Sequence, residues 1–388
     1  MRAAGHDGGV AGDDAGPRTL VERYRPGDFL LAGPASTLLA TGCQAVVTES
    51  HAEELAARVG KLILDSGVPV AVGVLPFDDT LDPRLVIPAE VLSAGPAHGL
   101  VPAAVPHTVA ASVTPVPEPA AYARAVAATV ADLRTDPDLR KVVLARAVDL
   151  GFADPVDIAA LLPGLIEANP LGYTYAADLD AGRTLLGASP ELLLRRTGTT
   201  VLSNPLAGSV PRVADPAADR AVGEALLASA KDQGEHRVVV EAVVETLRPF
   251  CRNLTVPPTP SLVETPSVWH LSTRITGELI DPDVSALRLA AALHPTPAVC
   301  GTPAAAARAA IAHHEPFDRG FYSGVVGWCD AAGDGEWIVA IRCAEVDDRR
   351  MRLFAGAGIM PDSVPESELA ETTAKFHTLL AALGMRLN

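Results

Sequence analysis

Three charged residues near the C-terminus have types and a spacing that could do chemistry. Glu368, Glu371 and Lys375 are three and four positions apart, so a helix places them on one face. The glycines Gly356 and Gly358 come shortly before, followed by a proline-containing segment, and together they predict a loop. Two carboxylates and an amine beside such a loop could hold a metal ion and an anion together. A solvated helix face with one ion pair fits the spacing equally well, so matching groups are needed elsewhere.

A third acid adds to the prediction of a metal site. Glu235 interrupts the apolar face of the predicted helix 219–247, where an unpaired carboxylate would be costly to bury. With Glu368 and Glu371 it would form an all-oxygen ligand set, which favours a hard cation. We expect Mg2+, because this ion needs only one or two protein carboxylates and keeps water or substrate oxygens as its other ligands. Two ordinary surface helices are the alternative explanation.

A lysine and a glutamate in separate strands are candidates for a base and an acid. Lys141 begins the predicted strand 141–150, and Glu191 follows a turn of small residues before the predicted strand 192–196. A lysine at a strand end more often extends its amine to solvent, and a glutamate after a turn is more often solvated. The two residues are catalytic candidates only if the fold brings them to one cavity.

Other residues could bind an anionic ligand in such a cavity. Arg342 lies in an apolar strand sequence and would present a bidentate fork to a carboxylate, and Lys375 would add a point charge. Gly358 and the pair Gly208–Ser209 would allow close approach of the backbone and supply N–H donors. His270 could orient a substrate, although a histidine bonded within the core is the commoner case.

These residues need a scaffold of sheets and a few long helices. Strands outnumber helices in the middle and C-terminal parts and occur in meander-like runs. This pattern predicts an α+β fold with large, mostly antiparallel sheets. Helices are predicted over 51–65, from 119 onward, and over 154–169, 219–247 and the segment after Pro365. Strands are predicted over 28–31, 68–77, 141–150, 171–179, 183–187, 192–196, 321–329, 336–346 and 351–355.

Composition limits the class of protein and the partners. The chain has 388 residues, 48% of them hydrophobic, which suffices for one large domain or two. Its net charge of -16 argues against a nucleic-acid partner, and no apolar run approaches the roughly 20 residues of a membrane span. Residues 1–18 are rich in Gly, Ala and Asp and predict a disordered tail without a secretory signal. Residues 97–119 predict a linker or surface segment, and five scattered cysteines suggest a reducing, cytoplasmic location.

Several motifs resemble those of a known family. From about residue 119 to the C-terminus the chain is similar, motif by motif and in order, to the chorismate-utilising enzymes. Within that family it most resembles the isochorismate synthases of catecholate siderophore pathways. The motifs that carry the resemblance are RKVVLAR, LLGASPELLLR, PLAGS, KDQGEH, TPSVWHL, LHPTPAVCG, EPFDRGFYSGVVGW, GDGEWIVAIRCAEV and LFAGAGIMPDSVPESELAETTAK.

The resemblance implies a fold and a set of roles. It implies a single domain over 19–388, built as a sandwich of antiparallel sheets flanked by helices, with Mg2+ and chorismate in a cleft between the sheets. Lys141 would be the base that activates water, and Glu191 would be the acid. Glu235 and Glu371 would hold Mg2+ with Glu368 beside them. The residues that would surround the substrate are Gly208, Ser209, His270, Ala298, Tyr322, Arg342, Gly358 and Lys375.

The reaction implied by the resemblance agrees with these residue types. Isochorismate forms when water adds at ring C2 and the C4 hydroxyl leaves, so base and acid must stand at opposite ends of the ring. The lysine must be uncharged and the glutamate protonated. Lys141 favours water over ammonia, because relatives that aminate chorismate usually lack this lysine. Ala298 favours release of isochorismate, because relatives that form salicylate tend to have threonine there.

Some positions depart from the family pattern. Val299–Cys300 replaces the more usual Leu-Ser, and Tyr322 stands where many siderophore enzymes have phenylalanine and salicylate-forming relatives have tyrosine. The alternatives are therefore a salicylate synthase, an aminating synthase component, a menaquinone-pathway isochorismate synthase and a binding module without activity. A monomer is expected, with an isochorismatase as a downstream partner.

Overall fold

The computed structural model describes residues 16–97, 99 and 109–385. Within this part of the chain, long helices alternate with runs of strands. The helices are α1 (Pro17–Arg23), α2 (Ala52–Ser66), α3 (Pro119–Thr135), α4 (Ile158–Glu167), α5 (Pro216–Ala228), α6 (Ala230–Leu247), α7 (Ala286–Leu293), α8 (Ala304–His314) and α9 (Pro365–Ala382).

The described strands form three sheets, and every pairing between them is antiparallel. The strands before the catalytic motifs are β1 (Phe29–Ala32), β2 (Thr37–Thr41), β3 (Ala45–Val47), β4 (Val70–Leu75), β5 (Arg84–Ile87), β6 (Glu90–Ala94) and β7 (Ser112–Val116). The middle strands are β8 (Lys141–Gly151), β9 (Tyr173–Asp178), β10 (Arg183–Ser189), β11 (Leu192–Thr197), β12 (Thr200–Asn204), β13 (Leu206–Pro211), β14 (Cys251–Thr255), β15 (Ser261–Glu264), β16 (Val268–Ser272) and β17 (Ile275–Leu279). The last strands are β18 (Gly301–Thr302), β19 (Val325–Asp330), β20 (Gly335–Val339), β21 (Cys343–Asp347) and β22 (Arg350–Ile359).

The two large sheets pack face to face. The first has the order β18-β8-β22-β21-β10-β9-β1-β2-β6, with β7 also paired to β8, and the second has the order β14-β17-β12-β11-β20-β19-β4-β5-β3. Alternate apolar residues of both sheets, such as Leu31, Val72, Tyr175 and Ile338, meet in one buried cluster between them. The small third sheet has the order β13-β16-β15.

Helices cover the outer faces of the sandwich. One apolar cluster joins α1, α4 and α9 to the first sheet, and another joins α2, α6 and α7 to the second sheet. A third cluster places α3 and α8 beside β8 and β22. The prediction of an α+β fold, with a sandwich of large antiparallel sheets flanked by helices, is confirmed.

Most predicted elements agree with the structure to within a few residues. Pro119 is the first residue of α3, as expected for proline at a helix start. Apolar residues three or four positions apart form the buried face of α3, which consists of Tyr122, Val126, Val130 and Leu133. The helix predicted to begin near 154 instead begins at Ile158, where the Asp157 side chain accepts a hydrogen bond from the Ala160 N–H.

Three predictions about the elements were wrong. The helix predicted over 219–247 is two helices, because Ser229 adopts an extended backbone and caps α6 with its side chain. The strand predicted over 336–346 is also interrupted: β20 belongs to the second sheet and β21 to the first. Gly356 and Gly358 lie inside β22 rather than in a loop.

Two other predictions concern segments at the edges of the described residues. The tail predicted over 1–18 lies outside them except for 16–18, where Pro17 begins α1. The linker predicted over 97–119 lies partly outside them, and its described part contains β7, which pairs with β8. Among the helices of the described residues, none combines the length and the apolar character needed to cross a bilayer.

Candidate active site

A cavity of about 640 Å3, counting the part open to solvent, is lined by strands of the first and third sheets, by α6 and α9, and by the segments that connect the two large sheets. Every predicted substrate-binding residue lines it, and so do Glu191, Glu235 and Glu371. Lys141 and Glu368 lie just behind the lining and contact residues of the site.

Lys141 is fully buried at the start of β8. Its Nζ lies 2.9 Å from Glu235 Oε1 on α6, and the Glu235 side chain is 12% exposed. The amine has no hydrogen bond of good geometry among the described residues. The predicted base therefore contacts one of the predicted metal ligands directly and is shielded from solvent.

Gly358 has no side chain, and Lys141 and Glu235 occupy the space that one would fill. It lies on β22, which pairs with β8 alongside Lys141. A Cβ atom at Gly358 would lie 2.9 Å from Lys141 Cε and 3.0 Å from the Glu235 carboxyl carbon. Any larger residue would therefore displace the lysine, the glutamate or both. Its structural role is to leave room for them, and it acts from a strand rather than from the predicted loop.

Glu191 is buried between β10 and β11, with 3% of its surface exposed. The Leu206 N–H donates to its Oε1 at 3.3 Å. Burial raises the pKa of Glu191 to about 7, against the opposing effects of the Leu206 N–H, Lys141, Lys375 and Arg342. A carboxyl with this pKa carries its proton at neutral pH in much of the population, as an acid catalyst requires.

The chain crosses between the two large sheets twice at this place, once at residues 190–191 and once at 340–342. We call these two segments the crossing point. The first passes from β10 to β11, and the second from β20 to β21. Each segment is tied to the strand that leads into the other by a backbone hydrogen bond. Ala188 N, in β10, donates to Arg342 O at 3.0 Å, and Val339 N, in β20, donates to Glu191 O at 3.1 Å. The crossing point thus brings the predicted acid and the predicted anion-binding arginine to one wall of the cavity.

Arg342 is 7% exposed, with a φ of 51°. Its Nη2 lies 3.2 Å from Nε2 of His270, which is on β16 opposite Ser209. Burial lowers the pKa of His270 well below its usual value, and Arg342 and Lys375 lower it further. The imidazole is therefore neutral and can accept from the guanidinium. Burial also lowers the pKa of Arg342 to about 10, which leaves it charged.

Glu371 and Lys375 share a face of α9, as their spacing predicts. Lys375 Nζ donates to Glu371 Oε1 at 2.5 Å and to Gly356 O at 2.8 Å. The Ser209 hydroxyl donates to the same Glu371 oxygen at 2.8 Å. Burial would raise the pKa of Glu371, but Lys375, Ser209 and Arg342 outweigh it and hold the pKa below its usual value. Gly208, with φ of 74°, lets β13 approach α6 beside this carboxylate.

Glu368 completes a cluster of acids with Glu235 and Glu371, which we call the carboxylate face. Lys231 Nζ lies 3.4 Å from Glu368 Oε1. Burial raises the pKa of Glu368 to about 6, and the charges of Glu371 and Glu235 raise it too. Three carboxylates therefore repel one another at one side of the cavity, although each lies beside a lysine.

The carboxylate face fits a magnesium ion by its donor chemistry. Among the described residues, no three His, Cys, Asp or Glu side chains stand together as a ready-made metal cluster. Mg2+ does not require one, because it is usually held by one or two carboxylates and by water or substrate oxygens. Glu235 and Glu371 line the cavity, and a divalent cation would relieve the repulsion felt by Glu368.

A second buried ion pair, which sequence reasoning missed, supports the cavity from behind. Arg319 donates to Glu315, to Val299 O at 2.7 Å and to Val143 O at 2.7 Å, and both side chains of the pair are 2% exposed. Val299 and Val143 line the cavity. The sequence did contain a signal for this pair. Its two charges are four residues apart in the motif EPFDRGF and have aromatic neighbours, and charges that become buried must be paired.

Tyr322 and Ala298 complete the wall near this ion pair. Tyr322 stacks on Phe354, with ring centroids 4.8 Å apart, and the Arg319 guanidinium lies 5.7 Å from the Tyr322 ring. Burial raises the pKa of Tyr322 to about 12, so its phenol is protonated. Of the two departures beside Ala298, Val299 lines the cavity, whereas Cys300 packs into the cluster with α3 and α8.

Comparison with known proteins identifies the family. Residues 101–384 match the family described as chorismate binding enzyme. The chain belongs to the chorismate-binding enzymes. It is 50% identical over 384 residues to isochorismate synthase DhbC of Bacillus subtilis, covering 94% of this chain and 96% of that protein. It is 45% identical over 320 residues to the vibriobactin-specific isochorismate synthase of Vibrio cholerae, covering 82% of this chain and 80% of that protein.

A solved structure supports the same family fold. The chain superposes with a TM-score of 0.90 on a crystal structure from Bacillus anthracis, at 44% identity, covering 95% of this chain and 100% of that one. That protein is named as a 2,3-dihydroxybenzoate-specific isochorismate synthase, DhbC. The predicted family is therefore confirmed.

Proposed function

We propose that this chorismate-binding enzyme is an isochorismate synthase, an isomerase that adds water at C2 of chorismate and releases the C4 hydroxyl as water. The observation that carries the proposal is the presence at one cavity of a buried lysine, at the start of β8, and a buried, protonatable glutamate, between β10 and β11. A base and an acid supplied from separate strands suit a reaction in which attack and departure occur at different carbons.

In this proposal Lys141, as the uncharged amine, takes a proton from the attacking water. Glu191 donates its proton to the leaving C4 hydroxyl, and its pKa of about 7 supports that role. Arg342 and Lys375 hold the substrate carboxylates, with Ser209, Tyr322 and the backbone at Gly358 and Gly208 around them. Neutral His270 keeps Arg342 in place, and Ala298 lies along the cavity near Tyr322.

We further propose that Glu235 and Glu371 hold Mg2+, with Glu368 beside them. Bound Mg2+ would neutralise the ring carboxylate and stabilise charge that develops on the ring. Glu235 lies 2.9 Å from the Lys141 amine. Drawing this carboxylate toward a cation would loosen its contact with the base.

Incubation of the purified protein with chorismate and Mg2+ tests the reaction, with and without ammonium. Isochorismate as the sole product, formed equally in both cases, is the expected result. An aminated product would favour an aminating synthase component, and salicylate with pyruvate would favour the salicylate route, for which Tyr322 is the one supporting residue. The absence of any product in the presence of Mg2+ would favour a binding module.

The names of the relatives support a place in 2,3-dihydroxybenzoate and siderophore formation, since one is named as 2,3-dihydroxybenzoate-specific and another as vibriobactin-specific. An isochorismatase would then consume the product. A cytoplasmic location and a monomeric state belong to the same proposal. Deletion of the gene should remove catecholate siderophore from iron-starved cultures; loss of menaquinone instead would assign the enzyme to that pathway.

A further inference from the structure

The backbone of the cavity wall contains two residues in an unfavourable conformation. Among the described residues, six non-glycine positions have a positive φ: Asp180, Ala181, Asn253, Ser323, Arg342 and Asp348. Asp180, Ala181 and Asp348 lie in exposed turns, and Asn253 is exposed at an irregular position of β14. Ser323 and Arg342, with φ of 62° and 51°, are buried and line the cavity. Strained buried residues persist when the surrounding structure holds them for a purpose.

The two strained residues belong to neighbouring segments. Ser323 N donates to Ala340 O at 2.8 Å, and Ala340 N donates to Gly324 O at 2.8 Å. The turn that carries Ser323 is therefore bonded to the crossing point that carries Arg342. The Tyr322 phenol lies beside the Ser323 hydroxyl and close to Arg342. The three side chains thus belong to one wall of the cavity.

The Ser323 hydroxyl is buried without a satisfying contact. The residue is 0% exposed, and its Oγ has no hydrogen-bond partner of good geometry among the described residues. Burying a hydroxyl in this way is unfavourable. Glycine at this position would avoid both the strained backbone and the unpaired hydroxyl. A serine that carries both penalties suggests that a ligand uses the hydroxyl.

We propose that the Ser323 hydroxyl donates a hydrogen bond to the substrate carboxylate that Arg342 holds. Arg342 supplies the charge and Ser323 a neutral donor from the adjacent segment, so the two clamp one carboxylate of a cyclic dicarboxylate. The proposal rests on the proposed function, because chorismate supplies that carboxylate. It makes Ser323 a substrate-binding residue in addition to those that the sequence predicted.

Two substitutions at Ser323 separate the hydroxyl from the backbone. Ser323→Ala removes the hydroxyl and keeps the strain, and Ser323→Gly removes both. Losing a hydrogen bond to a charged group should raise KM for chorismate roughly 10- to 100-fold in both variants. kcat should change little, because a carboxylate away from C2 and C4 is bound equally in ground and transition states. Ser323→Gly should melt at a higher temperature than Ser323→Ala.

Two matched controls and a binding assay complete the test. Asn253→Gly relieves a positive φ at an exposed position of β14, and Ser203→Ala removes a buried hydroxyl away from the cavity; both should keep the KM of the native protein. The rise in melting temperature caused by added chorismate should shrink in both Ser323 variants. An unchanged KM in Ser323→Gly, or a fall in kcat at constant KM, would overturn the proposal. Native protein that neither converts chorismate nor is stabilised by it would instead overturn the proposed function and, with it, this inference.

Discussion

The carboxylate face and the crossing point handle buried charge in different ways. On the carboxylate face, Glu235, Glu368 and Glu371 lie beside Lys141, Lys231 and Lys375, so each acid has a lysine neighbour. At the crossing point, burial dominates: it raises the pKa of Glu191 to about 7 and keeps the nearby His270 neutral.

This difference suits the two parts of the proposed reaction. Lys231 and Lys375 can give up their carboxylates to a divalent ion, because their long side chains can move and one cation replaces another. Desolvation cannot be exchanged in that way, since it is a property of the surrounding backbone and core. The carboxylate face is thus suited to binding a metal, and the crossing point to retaining a proton. Each prediction below tests one side of this division.

The largest effect is expected at Lys141, which contacts Glu235 of the carboxylate face and acts on Glu191 of the crossing point. Lys141→Met keeps the length of the side chain but removes the amine, and turnover should fall by about 10^2 to 10^4 when a base is lost. Steady-state assays with chorismate measure the loss, and circular dichroism checks the fold. Arg140→Met is the matched control, because Arg140 precedes Lys141 in the chain and its own side chain is 56% exposed. Near-normal turnover of Lys141→Met would show that the base lies elsewhere.

A large effect with a pH signature is expected at the crossing point. Glu191→Gln should lower kcat by at least about 10^2. The native enzyme should lose activity as pH rises through about 7, where Glu191 ionises. The folded state should lose stability between about pH 4.5 and pH 7, because the contribution of the raised pKa is fully present below 4.5 and is lost as pH rises to about 7. The activity limb should be absent from Glu191→Gln, and the loss of stability should shrink to the part that Glu368 causes; if the activity limb persists there, another group is the acid.

A smaller effect is expected on metal dependence. Glu371→Gln removes a charge from the carboxylate face. The Mg2+ concentration that gives half-maximal activity should rise by roughly 10- to 100-fold. Activity is titrated with Mg2+ in chelator-buffered solution. Glu241→Gln, on the half-exposed surface of α6, should behave like the native enzyme. Full activity of the native enzyme in excess chelator would remove the metal from the proposal.

A small effect of opposite sign is expected for stability. Glu368 is ionised at pH 8 against a pKa raised to about 6, a penalty of about 2 kcal/mol. Glu368→Gln should therefore raise the melting temperature of the metal-free protein by roughly 1–2 °C, while it weakens Mg2+ binding. Scanning calorimetry at pH 8 measures the shift. Glu366→Gln, an exposed acid in the first turn of α9, should give no increase. A lowered melting temperature for Glu368→Gln would mean that its pairing with Lys231 outweighs the repulsion.

The smallest effect is expected on product identity. Ala298→Thr places a hydroxyl at the cavity wall and should divert a minor fraction of isochorismate to salicylate and pyruvate. Chromatography of the products measures this fraction, with Ala298→Val as the control of similar size. If neither variant forms salicylate, residue 298 does not decide which product is released.

Much of the scaffold followed from the sequence. Meander-like runs of short apolar segments predicted most of the strands, and Pro119 and Pro365 marked the starts of α3 and α9. The three- and four-residue spacing of Glu368, Glu371 and Lys375 predicted the shared helix face, because local geometry alone decides it. The motifs identified the family, whereas the roles of the individual site residues remain predictions.

Other features arose only from long-range packing. The sequence 336–346 looks like one strand, since nothing local indicates that residues 340–342 pass from one sheet to the other. Likewise, the ion pair between Lys141 and Glu235 joins residues far apart in the chain, and the burial of Ser323 depends on the crossing point. The sequence by itself determines residue types and local periodicity. The tertiary structure alone decides which buried charges become partners and how far each site is shielded from water, because both depend on how the sheets and helices pack.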